Sequence, residues 1–398
     1  MEKSRKSNLK VGIITALDPD DKRSWSGIYY RMSEALKNEF SLVTHLGPVK
    51  LSKINSIQMR LQLLLFKFWH LIRFQKKGKS MQNHIRSKFY GQYFDKRLMD
   101  SNVDIIFAPT ASIEIAHLKS NIPICYFSDT SFSQIWDYYD SLSNLSLKER
   151  KMGNEIEQAA MSKSKTQVFP SHWALDFAKS HYHAKNAFVA KMGANINSDP
   201  EIKTKESVKD RSINMLFVGV DWKRKGGDIA LETLDKLIHK GYDVKLTVCG
   251  CIPPTEHPQM VVIPFLDKNK KEDMLAFQKL FEQADLYFMP TRAECYGIVF
   301  CEANAYGLPV ISTDTGGVSS IVENGVNGFL LSQEAKSDQY CEVIERLITE
   351  DGLLAKMSET ALIKYKAELN WSSWGKEMRK ILLLTESMSR EEGQPKNQ

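Results

Sequence analysis

Residues Glu294–Leu331 read ECYGIVFCEANAYGLPVISTDTGGVSSIVENGVNGFLL. Glu294 and Glu302 stand eight residues apart, and Glu302 lies within the apolar run Ile298–Tyr306. A carboxylate buried there without a partner is strongly destabilising. The run therefore needs a polar ligand or a protein partner, and the flanking residues point to a ligand. Upstream, Leu286–Met289 reads as a strand, so Thr291–Tyr296 is a loop and Gly297 opens a helix. Ligands of open α/β sheets bind beyond the carboxyl ends of the strands. The N–H groups of Gly297, Ile298 and Val299 would face an anion such as a diphosphate. Glu302 would accept hydrogen bonds from a ribose diol, and Glu294 would hold a sugar hydroxyl. Gly307-Leu308-Pro309 ends the helix before the strand Val310–Thr313, and Thr315-Gly316-Gly317 opens another. The plainer alternative pairs Glu302 with an internal Lys or Arg and treats the glycines as turns. Several independent local features agree against it.

The same rhythm extends outward. Lys10–Ala16, Val103–Pro109, Ile122–Ser128 and Thr166–Pro170 read as strands in the first half. Asn214–Val220, Asp243–Cys249, Met260–Phe265 and Gly328–Leu331 join the two strands already named in the second. Gly27–Glu39, Ile156–Lys163, Ile229–His239 and Glu272–Ala284 read as helices between them. Alternating β and α runs predict an α/β chain with parallel, doubly wound sheets. A length of 398 residues favours two domains. The polar, lysine-rich stretch Asn195–Arg211 reads as the linker between them, with a ligand cleft on either side of which they face each other. The expected division is 1–198, 210–372, a closing helix at 373–386 that crosses back to the first domain, and a disordered tail at 387–398.

Composition narrows the class. The hydrophobic fraction of 42% and charged fraction of 26% are ordinary for a soluble globular protein. The net charge is +6, yet residues 51–100 hold eleven Lys/Arg against two Asp/Glu. That asymmetry suggests an anionic surface near the segment. Within it, Leu61–Phe74, LQLLLFKFWHLIRF, is too short and too charged to span a bilayer, but suits the surface of one. The competing reading is a helix over the first sheet, with solvated lysines. Its apolar positions run too densely to show one clear face. No secretory signal is read, and six scattered cysteines suit a reduced, cytoplasmic protein. Cys249-Gly-Cys251 lacks partners for a metal site, and Asp18-Pro19-Asp20 lies on a polar loop without supporting context.

Two further sites follow strands. Lys223, Arg224 and Lys225 precede Gly226-Gly227 after the strand ending at Val220, where cations would neutralise phosphates. Ser24-Trp25-Ser26-Gly27 precedes the first helix. There Gly27 would allow close backbone approach, although capping by Ser26 is an equally good local account.

These features resemble the family 4 glycosyltransferases of the GT-B fold, over nearly the whole chain and most specifically in its second half. The string from Glu294 to Ile311 looks like that family's E-x7-E donor signature. The resemblance implies two Rossmann-like domains facing a cleft, with the donor on the second and the acceptor on the first. It implies a retaining, metal-independent hexosyltransferase that uses a UDP- or GDP-linked sugar as substrate and needs no cofactor. Polysaccharide, lipopolysaccharide or glycolipid synthesis is the expected setting. Partners would be the nucleotide-sugar and a glycan or lipid-linked acceptor, with no nucleic acid; peripheral contact with an anionic membrane is the expectation from the basic segment 51–100 instead. Glu294 would contact the transferred sugar and Glu302 the ribose, while Lys225 would fill the family's phosphate-binding lysine position. The family's arginine position is Val220 here, so Arg224 is inferred to supply the second cation. Leu266 and Asp267 fall where the family holds the base. Asp129 stands where a histidine is usual, as in a subgroup that also carries pieces like Ser171-His172-Trp173, Gly193-Ala194-Asn195 and Asn370-Trp371 through Trp374-Gly375. Asp129 and Glu294 are thus the catalytic candidates, with capping of a helix at Phe132–Tyr139 as the alternative for Asp129. The rival functions are a non-catalytic sugar-nucleotide-binding protein and a GT-B sugar-nucleotide epimerase.

Overall fold

The computed structural model describes residues 6–74, 82–140, 142–200 and 212–393. The chain divides into two compact units, Met1–Ala190 with Gly375–Gln398, and Lys191–Trp374.

The first unit holds strands β1 (Ser7–Ile13), β2 (Phe40–His45), β3 (Ile105–Pro109), β4 (Ile124–Phe127), β5 (Thr166–Phe169) and β6 (Ala187–Val189). Its described helices are α1 (Ile28–Glu39), α2 (Lys53–Phe74), α3 (His84–Met99), α4 (Ser112–Ala116), α5 (Phe132–Ile135), α6 (Leu147–Lys163) and α7 (His172–Tyr182). The second unit holds β7 (Ile213–Val218), β8 (Val244–Cys249), β9 (Met260–Ile263), β10 (Leu286–Met289), β11 (Val310–Thr313) and β12 (Gly328–Leu331). Between them run α8 (Gly227–His239), α9 (Lys271–Gln283) and α10 (Ile298–Ala305), followed by α11 (Ser337–Thr349) and α12 (Leu353–Ala367). The last helix, α13 (Trp371–Gly393), starts in the second unit, and its residues from Gly375 onward belong to the first.

Both sheets are parallel and six-stranded, ordered β2-β1-β3-β4-β5-β6 and β12-β11-β10-β7-β8-β9. Central strands such as β3, β10 and β11 are buried at every residue. Helices cover both faces of such a sheet, so its strands read as near-continuous apolar runs. This is the doubly wound α/β architecture expected, with two Rossmann-like sheets. The two strands not anticipated are β2 and β6, one on each edge of the first sheet. Edge strands are half exposed and carry mixed sequences, FSLVTH and AFV, so neither shows a clean period.

The unit boundary falls ahead of the stretch read as a linker. Residues 191–199 are anchored in the second unit: Lys191 pairs with Glu368 at 2.8 Å, and the Tyr365 hydroxyl donates to Asp199 at 2.5 Å. Residues 201–211, the rest of that stretch, lie outside the described residues. At the other end, α13 continues through 387–393, where a disordered tail was expected; the remainder of that tail, 394–398, lies outside the described residues. The helix is anchored earlier along its length: Met378, Ile381 and Leu382 are buried, and Thr385 shares a 2.7 Å hydrogen bond with Thr166.

Candidate functional site

Counted within the second unit, the strand order is 3-2-1-4-5-6, and the order reverses between β7 and β10. At such a switch point adjacent crossovers leave to opposite faces and open a crevice beyond the strand ends. The two segments singled out from sequence are the loops that leave β7 and β10. They are laced together. The Arg292 N–H donates to the Arg224 carbonyl at 2.8 Å, and the Arg292 guanidinium donates to the Lys223 carbonyl at 2.6 Å. The same guanidinium forms a bidentate pair with Asp228, both bonds 2.7 Å, and this hydrogen bonding holds the Asp228 carboxyl below its usual range. Gly226 has φ +74°, and a Cβ there would lie 1.9 Å from the Pro290 carbonyl oxygen. A Cβ on Gly227 would enter the Trp222 ring. The packing of the loops themselves therefore leaves no room for a side chain at either position.

This lacing places Lys225 against Glu294. Lys225 is only 8% exposed, and its ammonium pairs directly with the Glu294 carboxylate. The Arg224 guanidinium donates to the Ala293 carbonyl at 2.8 Å and stands 3.8 Å from the same carboxylate. Two cations thus flank one acid, and Asp221 stands 3.8 Å from Arg224 as well. Val220, where the family carries arginine, is 67% exposed. Gly297 caps α10 with φ +87°, a left-handed geometry that a side chain would strain. Its α10 neighbours Ile298 and Val299 occupy the first helical positions, whose N–H groups have no intrahelical acceptor. The stretch after β11 differs from expectation: it opens a short 3-10 turn, Val318–Ser320, instead of a further helix. The Gly317 N–H donates to the carbonyls of Glu294 at 3.3 Å and Cys295 at 3.1 Å, so this turn braces the Glu294 loop.

Glu302 is 1% exposed on α10, and Lys268 donates to its carboxylate at 2.9 Å. The internal ion pair weighed against a ligand thus exists in the folded chain. Its partner comes from the loop after β9 that also carries Leu266 and Asp267. Lys268 lies 4.1 Å from the Phe277 ring centroid as well. Leu266 is half-buried. Asp267 acts as a turn former: it accepts from the Asn269 N–H at 3.0 Å and donates its own N–H to Asp273 at 2.9 Å. Sequence reasoning missed Lys268 and Arg292. The available signals were the lysine in D-K-N-K-K after Leu266 and the arginine two residues before Glu294.

In the first unit the sheet order reverses between β1 and β3. Trp25, Ser26 and Gly27 are consecutively left-handed, at φ +46°, +57° and +86°. Gly27 itself, and not Ser26, is the N-cap of α1. Trp25 packs on Tyr29 and Phe127, at centroid distances of 5.2 and 6.3 Å. The Tyr29 hydroxyl shares a hydrogen bond with Thr110, itself left-handed at φ +47°. Burial pushes the Tyr29 phenol up to about 12; the nearby carboxylates of Glu114 and Asp129 add to the rise, and the Thr110 hydrogen bond opposes it. Asp129 is half-buried in the loop after β4. Ser131, not Asp129, holds the N-cap position of α5, which is a four-residue turn rather than the longer helix expected. His172 is exposed at the start of α7, which Ser171 caps by accepting from the Ala174 N–H at 3.2 Å.

Two distant sequence pieces meet in the second unit. The Ala194 N–H donates to the Leu369 carbonyl at 2.9 Å, and Trp371 Nε1 donates to Asn195 Oδ1 at 3.0 Å. A Cβ on Gly193 would lie 2.3 Å from the Trp371 nitrogen. Among the described residues, no three His, Cys, Asp or Glu side chains gather as a metal site.

The family model described as glycosyl transferases group 1 matches residues 198–363, the stretch that carries all of the switch-point residues. Residues 198–363 are a glycosyl transferases group 1 domain. The chain is similar to a D-inositol 3-phosphate glycosyltransferase of Corynebacterium aurimucosum, 26% identical over 179 residues, covering 42% of this chain and 41% of that protein. It is also similar to the capsular polysaccharide biosynthesis glycosyltransferase CapM of Staphylococcus aureus, 29% identical over 149 residues, covering 34% and 37% of the two chains. The chain thus spans about two-fifths of the length of these curated relatives. In structure it resembles WaaG, a glycosyltransferase involved in lipopolysaccharide biosynthesis, with a TM-score of 0.62, 17% identity, and coverage of 94% of this chain and 99% of that one. The fold around the group 1 domain is GT-B.

Proposed function

We propose that the chain is a retaining glycosyltransferase of family 4 that moves a hexose from a UDP- or GDP-linked sugar to a hydroxyl acceptor. The observation that carries this reading is the meeting of Lys225, Arg224 and Glu294 with the start of α10 at the β7/β10 switch point. In hexosyl transfer, positive charge grows on the sugar while negative charge grows on the leaving diphosphate. The flanking cations and the α10 N–H groups are suited to stabilise that leaving group without metal. Glu294 would hold the sugar and Glu302 the ribose, with the base near Leu266. The similarity to a D-inositol 3-phosphate glycosyltransferase and to a capsular polysaccharide biosynthesis glycosyltransferase favours a phosphorylated or glycan acceptor and a role in surface polysaccharide or glycolipid synthesis.

The test is a thermal-shift screen with UDP-, GDP- and ADP-sugars, followed by product analysis with and without acceptor. A shift with one base class and acceptor-dependent glycoside formation is expected. The exposed Val220 in place of arginine is the observation that favours the non-catalytic alternative. Tight binding without turnover across a broad acceptor panel would establish that alternative, and product formation without acceptor would indicate an epimerase.

Asp129 is proposed to orient the transferred sugar. Asp129→Ala is expected to lower kcat by about 10²-fold while nucleotide affinity stays nearly unchanged. Steady-state kinetics and nucleotide titration check this; wild-type turnover would leave Asp129 with a local structural role.

A further inference from the structure

The helix α2 carries two apolar faces. Met59, Leu63 and Phe66 turn inward, with Leu63 buried and Phe66 packed against the core of the first unit. On the opposite side, Ile54, Ile57, Leu61, Leu64, Leu65, Phe68 and Ile72 are each between 55% and 68% exposed. They follow three- and four-residue spacings, so they form one stripe along a helix of 22 residues, about 33 Å long. This explains why the sequence shows no single apolar face: two apolar faces lie on opposite sides of one helix. A helix that only covers a sheet exposes a polar outer face. An exposed apolar stripe of this length, rimmed by polar groups, marks an interaction surface.

We propose that the outward face of α2 docks in the plane of an anionic bilayer surface. Charge selects this occupant. The helix contains no Asp or Glu. Lys53, Arg60 and Lys67, at seven-residue spacing, line one border of the stripe. Gln58, Gln62 and Trp69 line the other, and the Lys148 ammonium lies 3.6 Å from the Trp69 ring centroid. An apolar stripe bordered by cations and a tryptophan suits the boundary between headgroups and acyl chains. A second copy of the chain fits less well, although the stripe has the spacing of a helix-pairing seam. Pairing two such helices would leave their cationic borders unneutralised, whereas paired helices use opposite charges there. Among the described residues, no helix is long and apolar enough to cross a membrane, so α2 lies on the surface. The anionic headgroup supplies the attraction, and the stripe supplies depth.

The inference stands apart from the donor chemistry, and its test separates the two. The full chain is co-sedimented with vesicles of phosphatidylcholine alone and with about 30% phosphatidylglycerol added. At least tenfold stronger partitioning to the anionic vesicles is expected, weakening as salt is raised. Leu64→Glu with Phe68→Glu should abolish binding, since charged groups on the stripe cannot enter the acyl boundary. Both positions are exposed, so the thermal shift given by a nucleotide-sugar should be unchanged. Arg60→Gln with Lys67→Gln should keep residual binding but lose the preference for anionic vesicles. No binding by the wild-type chain, or equal binding to both vesicle types, overturns the proposal. So does a concentration-dependent dimer in sedimentation velocity that Leu64→Glu with Phe68→Glu dissolves, because the stripe would then be a self-interface. None of these outcomes alters the donor-binding result.

Discussion

Lys225→Ala is expected to lower turnover by about 10²–10³-fold, the usual cost of removing one group aimed at developing negative charge. Lys225 is nearly buried, pairs with Glu294, and stands where the reversal of strand order opens the crevice. The substitution has a second effect. It takes the Lys225 ammonium away from the Glu294 side chain, which is 13% exposed and keeps the Arg224 guanidinium at 3.8 Å, and breaking a buried pair from one side costs about 3–5 kcal/mol. The two effects separate in a double variant. Lys225→Ala with Glu294→Gln removes the uncompensated charge and should recover much of the lost Tm, with no recovery of kcat. Lys225→Arg should keep both the pair and part of the rate. Measuring Tm and kcat across the set decides the matter. Recovery of turnover in the double variant would show Lys225 to be only the counterion of Glu294, with no part in stabilising the leaving group.

The second large effect concerns Glu302. Glu302→Ala is expected to raise the nucleotide-sugar Kd by at least about tenfold, or roughly 1.4 kcal/mol. Because Lys268 holds this carboxylate at 2.9 Å, the substitution also removes an ion pair. Lys268→Met supplies the comparison, since it leaves the buried carboxylate without this ammonium and should lower stability more than Glu302→Ala does. Titration calorimetry with the nucleotide-sugar, alongside Tm, distinguishes a ligand role from a structural one. A folded Glu302→Ala variant with unchanged donor affinity would reduce Glu302 to the counterion of Lys268.

The strands at the centre of each sheet were legible because both faces are covered, so runs such as IIFAP and LYFM are buried at every residue and almost wholly apolar. The edge strands β2 and β6 were not legible, since exposure leaves their sequences mixed. Capping by Ser26 and by Asp129 failed for a local reason. Ser26 is itself left-handed at φ +57°, and α5 begins after Ser131. Cap residues are normally extended, and one-dimensional patterns carry no φ. The reading of α2 stalled because one periodicity cannot represent two opposed faces, and only exposure separates Met59, Leu63 and Phe66 from Ile57, Leu64 and Phe68.

By itself, the sequence determined that the chain is a doubly wound α/β protein, that Glu302 lies within an apolar helix, and that Lys225 and Glu294 each follow a strand. Those properties are local: they follow from period, turn chemistry and the order of residues along the chain. What each acid touches was decided by tertiary structure alone. Glu294 meets Lys225 across 69 residues, and Glu302 meets Lys268 across 34. The first pairing is fixed by strand order, because the 3-2-1-4-5-6 arrangement brings the loop after β7 beside the loop after β10, while Lys268 reaches Glu302 from the loop after the edge strand β9.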